Sequence, residues 1–221
     1  MLNKNEVMCK SIERFFFVLV MLLTVTSLGA QTKATAAQAK TMIDKINAAA
    51  AKQHTIQCDF QQTKSLSFLN DKMVSQGVMY YDHRGKLRWE YTSPYRYVFI
   101  INNNRVYIKT AKNSNTIDIR SSRLFQGIAR VMMNSVTGKS LSSTADFSVE
   151  MFIQGDEWIA RLVPKKKEMK AMFQSIRLFF NKKRQMVSKV EMVEKNGDQT
   201  VIQLLHVKSN GKIEDHIFAI R

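Results

Sequence analysis

A chain of 221 residues with 34 Lys+Arg against 18 Asp+Glu carries a formal net charge of +16 and contains only two cysteines. Two thiols exclude a disulfide framework, so the fold must rest on its own apolar core. The charge directs the chain toward anionic surfaces.

The first thirty residues read as an export signal. Lys4, Lys10 and Arg14 are a basic start, diluted by Glu6 and Glu13, and the apolar run Phe15–Leu28 is too short for a comfortable bilayer span. Ser27-Leu28-Gly29-Ala30 supplies small residues for cleavage near Ala30. The alternative is an uncleaved anchor. Cys9 precedes the run, so it cannot be an acylated first residue, and Gln31 follows Ala30 where a lipoprotein needs a cysteine. Residues 31–221 are expected to form a single exported domain. Export argues against nucleic acid as the partner of the basic surface and favours anionic lipid or acidic partners.

Thr35–Gln53 reads as an amphipathic helix, with Met42, Ile43, Ile46, Ala49 and Ala50 at three- and four-residue steps. From Ile56 the period becomes two. Ile56, Cys58 and Phe60 share a face, and Cys58 is expected to be a small buried side chain rather than a catalytic thiol. Strands are predicted over Met73–Tyr81, Lys86–Tyr91, Tyr95–Asn102, Arg105–Thr110 and Thr116–Ile119. Leu87, Trp89 and Tyr91 fall on one face of the second of these, and Arg88 and Glu90 on the other. A basic turn at His83–Lys86 joins it to the strand before. Asn102-Asn103-Asn104 and Lys112-Asn113-Ser114-Asn115 read as turns.

Ser121 and Ser122 can cap a helix over Arg123–Val136, whose apolar stripe includes Met132 and Val136 and which Gly138 ends. Phe147–Ile153 and Trp158–Val163 are strands around a Gly155-Asp156 turn. A basic loop follows Pro164, with a helical turn near Met169–Met172. Ser175–Phe180, Val187–Glu194, Thr200–Lys208 and Ile217–Ile220 complete the strands, with hairpin signals at Asn196-Gly197 and Asn210-Gly211.

The fold class is therefore α+β, mainly antiparallel β: a curved, incomplete β-barrel of about eleven strands with helices covering its concave apolar face. Thirteen Met and thirteen Phe are present, and all but three of each follow residue 30. Met adapts to ligands of varied shape, so a curled sheet under loosely held helices suits a pocket for long acyl chains; an ordinary Met- and Phe-rich core is the alternative. Phe60, Met79, Tyr81, Leu87, Trp89 and Tyr91 are candidate lining residues, as are Phe99 and Ile101. Met132 and Met133 are candidate lid contacts. Each buried methylene stabilises such binding by about 0.8 kcal/mol, so release requires a lid that opens, held by a basic or imidazole latch. The four His show no metal-ligand spacing, no cofactor motif occurs, and Glu214 and Asp215 read as solvated turn residues, so no metal, cofactor or catalytic residue is expected.

Phe60-Gln61-Gln62, Gly77, the run Gly85-Lys86-Leu87-Arg88-Trp89-Glu90-Tyr91 with Pro94, the pair Tyr97–Ile101 and Val106–Ile108, and the close from Asn210 to Phe218 together resemble the outer-membrane lipoprotein carrier protein (LolA) family. The resemblance implies an eleven-stranded incomplete barrel under helices. It also implies a soluble, monomeric periplasmic shuttle that takes acylated lipoproteins from an inner-membrane ABC exporter to an outer-membrane acceptor or anionic lipid surface. A periplasmic sensor on the same fold, or a carrier of another lipid, is the alternative. In the family an Arg-Pro pair precedes the Trp strand, and the Arg latches the lid. Here His83 stands in the Arg position and Arg84 in the Pro position, so the latch is either His83 or Arg84.

Overall fold

Twelve strands form one antiparallel sheet in the computed structural model, which describes residues 31–69, 71–103, 105–110, 114–118, 133–134, 141 and 146–219. The strands are β1 (Thr32–Lys33), β2 (Thr55–Ser65), β3 (Lys72–Asp82), β4 (Lys86–Ser93), β5 (Tyr97–Asn102), β6 (Arg105–Thr110) and β7 (Ser114–Asp118), then β8 (Phe147–Gln154), β9 (Glu157–Pro164), β10 (Phe173–Asn181), β11 (Val187–Glu194) and β12 (Gln199–Ser209). Helix α1 spans Ala36–Ala51 and helix α2 spans Lys167–Met172. The sheet order is β1-β8-β9-β10-β11-β12-β2-β3-β4-β5-β6-β7. Two meanders, β2 to β7 and β8 to β12, are thus stitched by β2 and β12, which run side by side from Gln199 opposite Ser65 to Ser209 opposite Ile56. The sheet is not closed, with β1 and β7 as its outer strands among the described residues.

Alternation sets the two faces. Ile56, Cys58 and Phe60 of β2 are buried while Gln57 and Asp59 are exposed. Met79 and Tyr81 of β3, Leu87 and Trp89 of β4, and Leu178 and Phe180 of β10 join them in one core. Helix α1 packs on this face with Met42 and Ile46. Thr35 caps the helix reciprocally: its hydroxyl accepts from the Gln38 amide, and the Gln38 side chain accepts from the Thr35 amide.

The opposite face has a smaller cover. Ile100 of β5 is buried there, and a 3₁₀ turn at Asp215–Phe218 crosses β4 and β5 with Phe218 fully buried. Arg88 donates to the Ile217 carbonyl and Asn102 to the Phe218 carbonyl. The expected strand Ile217–Ile220 is therefore corrected: Phe218 inserts as a plug, and the backbone acceptors meet side chains rather than a neighbouring strand. The hairpin expected at Asn210-Gly211 is corrected too. No strand follows among the described residues, and Asn210 (φ +59°) clips the chain leaving α1, accepting from the His54 amide and donating to the Lys52 carbonyl. Ser114 and Asn115 belong to β7 rather than a turn. Of the helix expected at Arg123–Val136, only residues 133–134 are described, and they are helical. Strand β1 was not foreseen from the sequence.

Candidate functional site

The wall of β2, β3, β4 and β5 carries most of the candidate residues. Cross-strand register sets Phe60 beside Gly77, Met79 beside Trp89, Tyr81 beside Leu87, Trp89 beside Phe99 and Leu87 beside Ile101. All of these side chains are buried in the α1-facing core. Gly77 makes this register possible: a Cβ there would lie 1.9 Å from the Glu90 carbonyl oxygen and 2.6 Å from the Phe60 ring. Phe60 thereby stacks against Trp89 at 4.4 Å and meets Tyr91 edge-on at 5.1 Å, and Tyr91 continues to Tyr97 at 5.7 Å. Tyr91 is half-buried, and its hydroxyl donates to the Gln62 side chain at 2.9 Å. Burial pushes the Tyr81, Tyr91 and Tyr97 hydroxyls above their ordinary pKa.

Two polar details stand out in this apolar wall. The Trp89 indole N–H is buried, and the Tyr91 hydroxyl is the polar group within its reach, though it does not meet it with full hydrogen-bond geometry. Cys58, between Ile56 and Phe60, has its thiol pushed up to about 12, first by burial and then by the Asp59 charge. It is an inert packing group.

At the rim, the turn His83–Gly85 separates the two latch candidates. The pairing of Thr55 with Asp82 brings His83 to the chain that leaves α1. Its backbone amide and its Nδ1 both reach the His54 carbonyl, at 2.8 and 3.1 Å, and the two imidazoles meet edge-on at 4.9 Å. For Nδ1 to donate there it must carry the hydrogen. Arg84 turns elsewhere. Its Nε lies 3.0 Å from both Asp82 oxygens, and its Nη2 reaches Asp82 at 2.6 Å and Asp215 at 3.0 Å. Lys86 adds a contact to Asp215 at 2.8 Å. Asp215, read from sequence as merely solvated, is exposed but ties the 3₁₀ turn to this corner. The Arg84 guanidinium holds the buried Asp82 carboxyl below its usual range, and Lys86, then Arg84, does the same for Asp215.

Met133 is half-buried against the core, and Met132 lies outside the described residues. The meeting of His54 with His83 escapes sequence reading, because only the β2–β3 register brings residues 29 apart together. No group of three or more His, Cys, Asp or Glu among the described residues is arranged to hold a metal ion.

The chain is also similar to known proteins. The sequence pattern of the family described as "Outer membrane lipoprotein carrier protein LolA" matches residues 51–221. A curated outer-membrane lipoprotein carrier protein of Chromohalobacter salexigens is 25% identical over 140 residues, a match that spans 63% of this chain and 63% of that protein. Among solved structures, an uncharacterized conserved protein of Thermus thermophilus superposes with a TM-score of 0.50 at 10% identity, covering 83% of this chain and 94% of that one. A LolA superfamily protein of Nitrosomonas europaea gives a TM-score of 0.46 at 13% identity, over 82% and 97% of the two chains.

Proposed function

The chain belongs to the outer membrane lipoprotein carrier protein LolA family, and from that premise we propose that it is a soluble periplasmic carrier which binds the acyl chains of lipoproteins and shuttles them from the inner to the outer membrane. In this proposal residues 1–30 are a cleavable export signal and residues 31–221 the carrier. It receives cargo from an inner-membrane ABC exporter and gives it up to an outer-membrane acceptor or lipid surface. It is a binding protein, not an enzyme.

The buried aromatic wall supports this best. Phe60, Trp89 and Tyr91 form a continuous, largely apolar surface whose polar points are the Trp89 indole and the Tyr91 hydroxyl beside it. An acyl ester offers that surface methylenes for the rings and a carbonyl oxygen that can compete with the Tyr91 hydroxyl for the indole N–H. Met42 and Ile46 of α1 belong to the same buried core, so acyl chains must displace side chains of that core to reach the wall. The segment leaving α1 is held by His83 and Asn210, which favours His83 for the latch role.

Mass spectrometry of what the protein retains from periplasmic extract tests the carrier role. Acylated peptides are the expected result. Free lipids alone would reassign the cargo, and an empty protein would overturn the proposal. In a binding titration with a synthetic acylated peptide, Trp89→Phe should weaken affinity about two- to tenfold. Unchanged affinity would remove the indole from the site.

A further inference from the structure

The sheet has two ends, and they differ in character. The His83 turn lies at one. At the other lie the β2–β3 hairpin, the β4–β5 turn, the β11–β12 hairpin and α2. Of the large apolar side chains that the described residues leave exposed, all but Leu205 lie at this second end: Phe68, Leu69, Met73 and Val74 on the β2–β3 hairpin and Tyr95 on the β4–β5 turn. Phe68 is 75% exposed and Tyr95 79%. Single exposed apolar residues are ordinary, but a cluster confined to one hairpin is not.

The hairpin is also held in place. The Ser67 amide donates to Asp198 Oδ1 and the Ser67 hydroxyl to the Asn196 carbonyl, both at 2.9 Å. Asp198 is buried, and Lys64 reaches Glu194 at 3.0 Å and Asp198 at 3.7 Å. The neighbouring β11–β12 hairpin therefore braces the base of the tip while Phe68 and Leu69 point into solvent. The base of the hairpin is thus fixed at Ser67, which limits the ordering needed on contact.

Charge names what it touches. Exposed basic residues at this end include Lys72 beside Met73, Arg96 beside Tyr95, the run Lys165–Lys167, and Lys195, against exposed Asp71 and Glu168 and the Asp146 carboxyl that pairs with Lys166. Exposed apolar side chains at a sheet end that also carries exposed Lys and Arg match a bilayer whose headgroups are anionic: the side chains enter the acyl boundary and the cations meet the phosphates. We propose that the Phe68–Leu69 hairpin tip is a membrane-contact finger that inserts into an anionic lipid surface. The finger deepens the carrier function, since it names where the protein meets the membrane, but its vesicle binding does not require bound cargo.

Cosedimentation of the full chain with vesicles tests it, using phosphatidylglycerol mixed with phosphatidylcholine and phosphatidylcholine alone. The wild type should favour the anionic vesicles, and added salt should weaken the preference. Phe68→Ser with Leu69→Ser should lower partition about tenfold or more, with thermal midpoint and acylated-peptide binding unchanged. Lys72→Glu with Arg96→Glu should weaken binding to the anionic vesicles selectively. Equal partition of the wild type and the double-serine variant overturns the finger. So does self-association of the wild type, lost in that variant, without vesicle binding. Finger-dependent partition without any acylated-peptide binding would leave the finger standing and remove the carrier function instead.

Discussion

Gly77 shows how a single missing Cβ sets the wall. Its neighbours in space are the Glu90 carbonyl and the Phe60 ring, one of them backbone, so alanine cannot be accommodated by a rotamer change. Gly77→Ala should cost about 1–3 kcal/mol or more, read as a lower urea midpoint. An unchanged midpoint would show that the β3–β4 ladder yields at its Gln76/Gly77 irregularity. Cys58 makes the opposite kind of prediction. A thiol pushed up to about 12 should not react with a disulfide reagent in the native protein near neutral pH and should react once urea unfolds it. Fast native labelling would mean that the wall opens readily. At the rim, His83→Leu removes the side-chain contact to the His54 carbonyl and should change the rate at which acylated peptide loads or leaves. Arg84→Leu, which breaks contacts to Asp82 and Asp215, should act mainly on stability. Equal, wild-type transfer rates in both variants would end the latch role.

Among elements, α1 combines a legible face and start, at Thr35, with a reciprocal cap that was not foreseen. Its apolar spacing marks Met42, Ile43, Ile46, Ala49 and Ala50; Met42, Ile46 and Ala50 are buried, and Ile43 and Ala49 are half-buried at the edge of that stripe. Thr35→Ala should remove the reciprocal cap and cost about 1 kcal/mol. Ile46→Ala, at a fully buried position, should cost about 2–5 kcal/mol. If the two losses in urea unfolding came out alike, the helix would owe its position to its end rather than its face. The strands are legible where one face is apolar and the other polar, as at Leu87, Trp89 and Tyr91. Ile217–Phe218 misleads because its apolar residues serve a plug rather than an alternating ladder. Asn210-Gly211 misleads because Asn tolerates positive φ equally in a hairpin and in a clip. The wall was legible as a set of buried residues, but the His83–His54 contact and the meeting of the Trp89 indole with the Tyr91 hydroxyl were not. Both depend on register and burial, which no local pattern encodes.

At the scale of the whole molecule, acid should loosen the structure at several corners at once. Asp82 and Asp215 join the β3–β4 turn to the 3₁₀ turn, Glu150 joins β8 to β1 and β9 through Lys33 and Arg161, and Asp198 braces the β2–β3 hairpin. All four carboxyls are held below their ordinary range by these hydrogen bonds and charges. The unfolded chain, whose carboxyls titrate near about 4, therefore takes up protons before the native state does as pH falls. Their contribution is fully present above that value and is lost progressively below it, toward the lower native values. Protonation also adds to a charge already at +16, and self-repulsion grows. The urea midpoint should thus be well below its neutral value by about pH 3. Asp82→Asn separates the two effects. At neutral pH the variant should be less stable than wild type, because Arg84 loses a charged partner. Toward pH 3 the gap should narrow, since the unfolded wild-type chain then takes up a proton at Asp82 that the native state still resists. A gap that stays constant across that range would mean that Asp82 holds the corner by its shape and not by its charge.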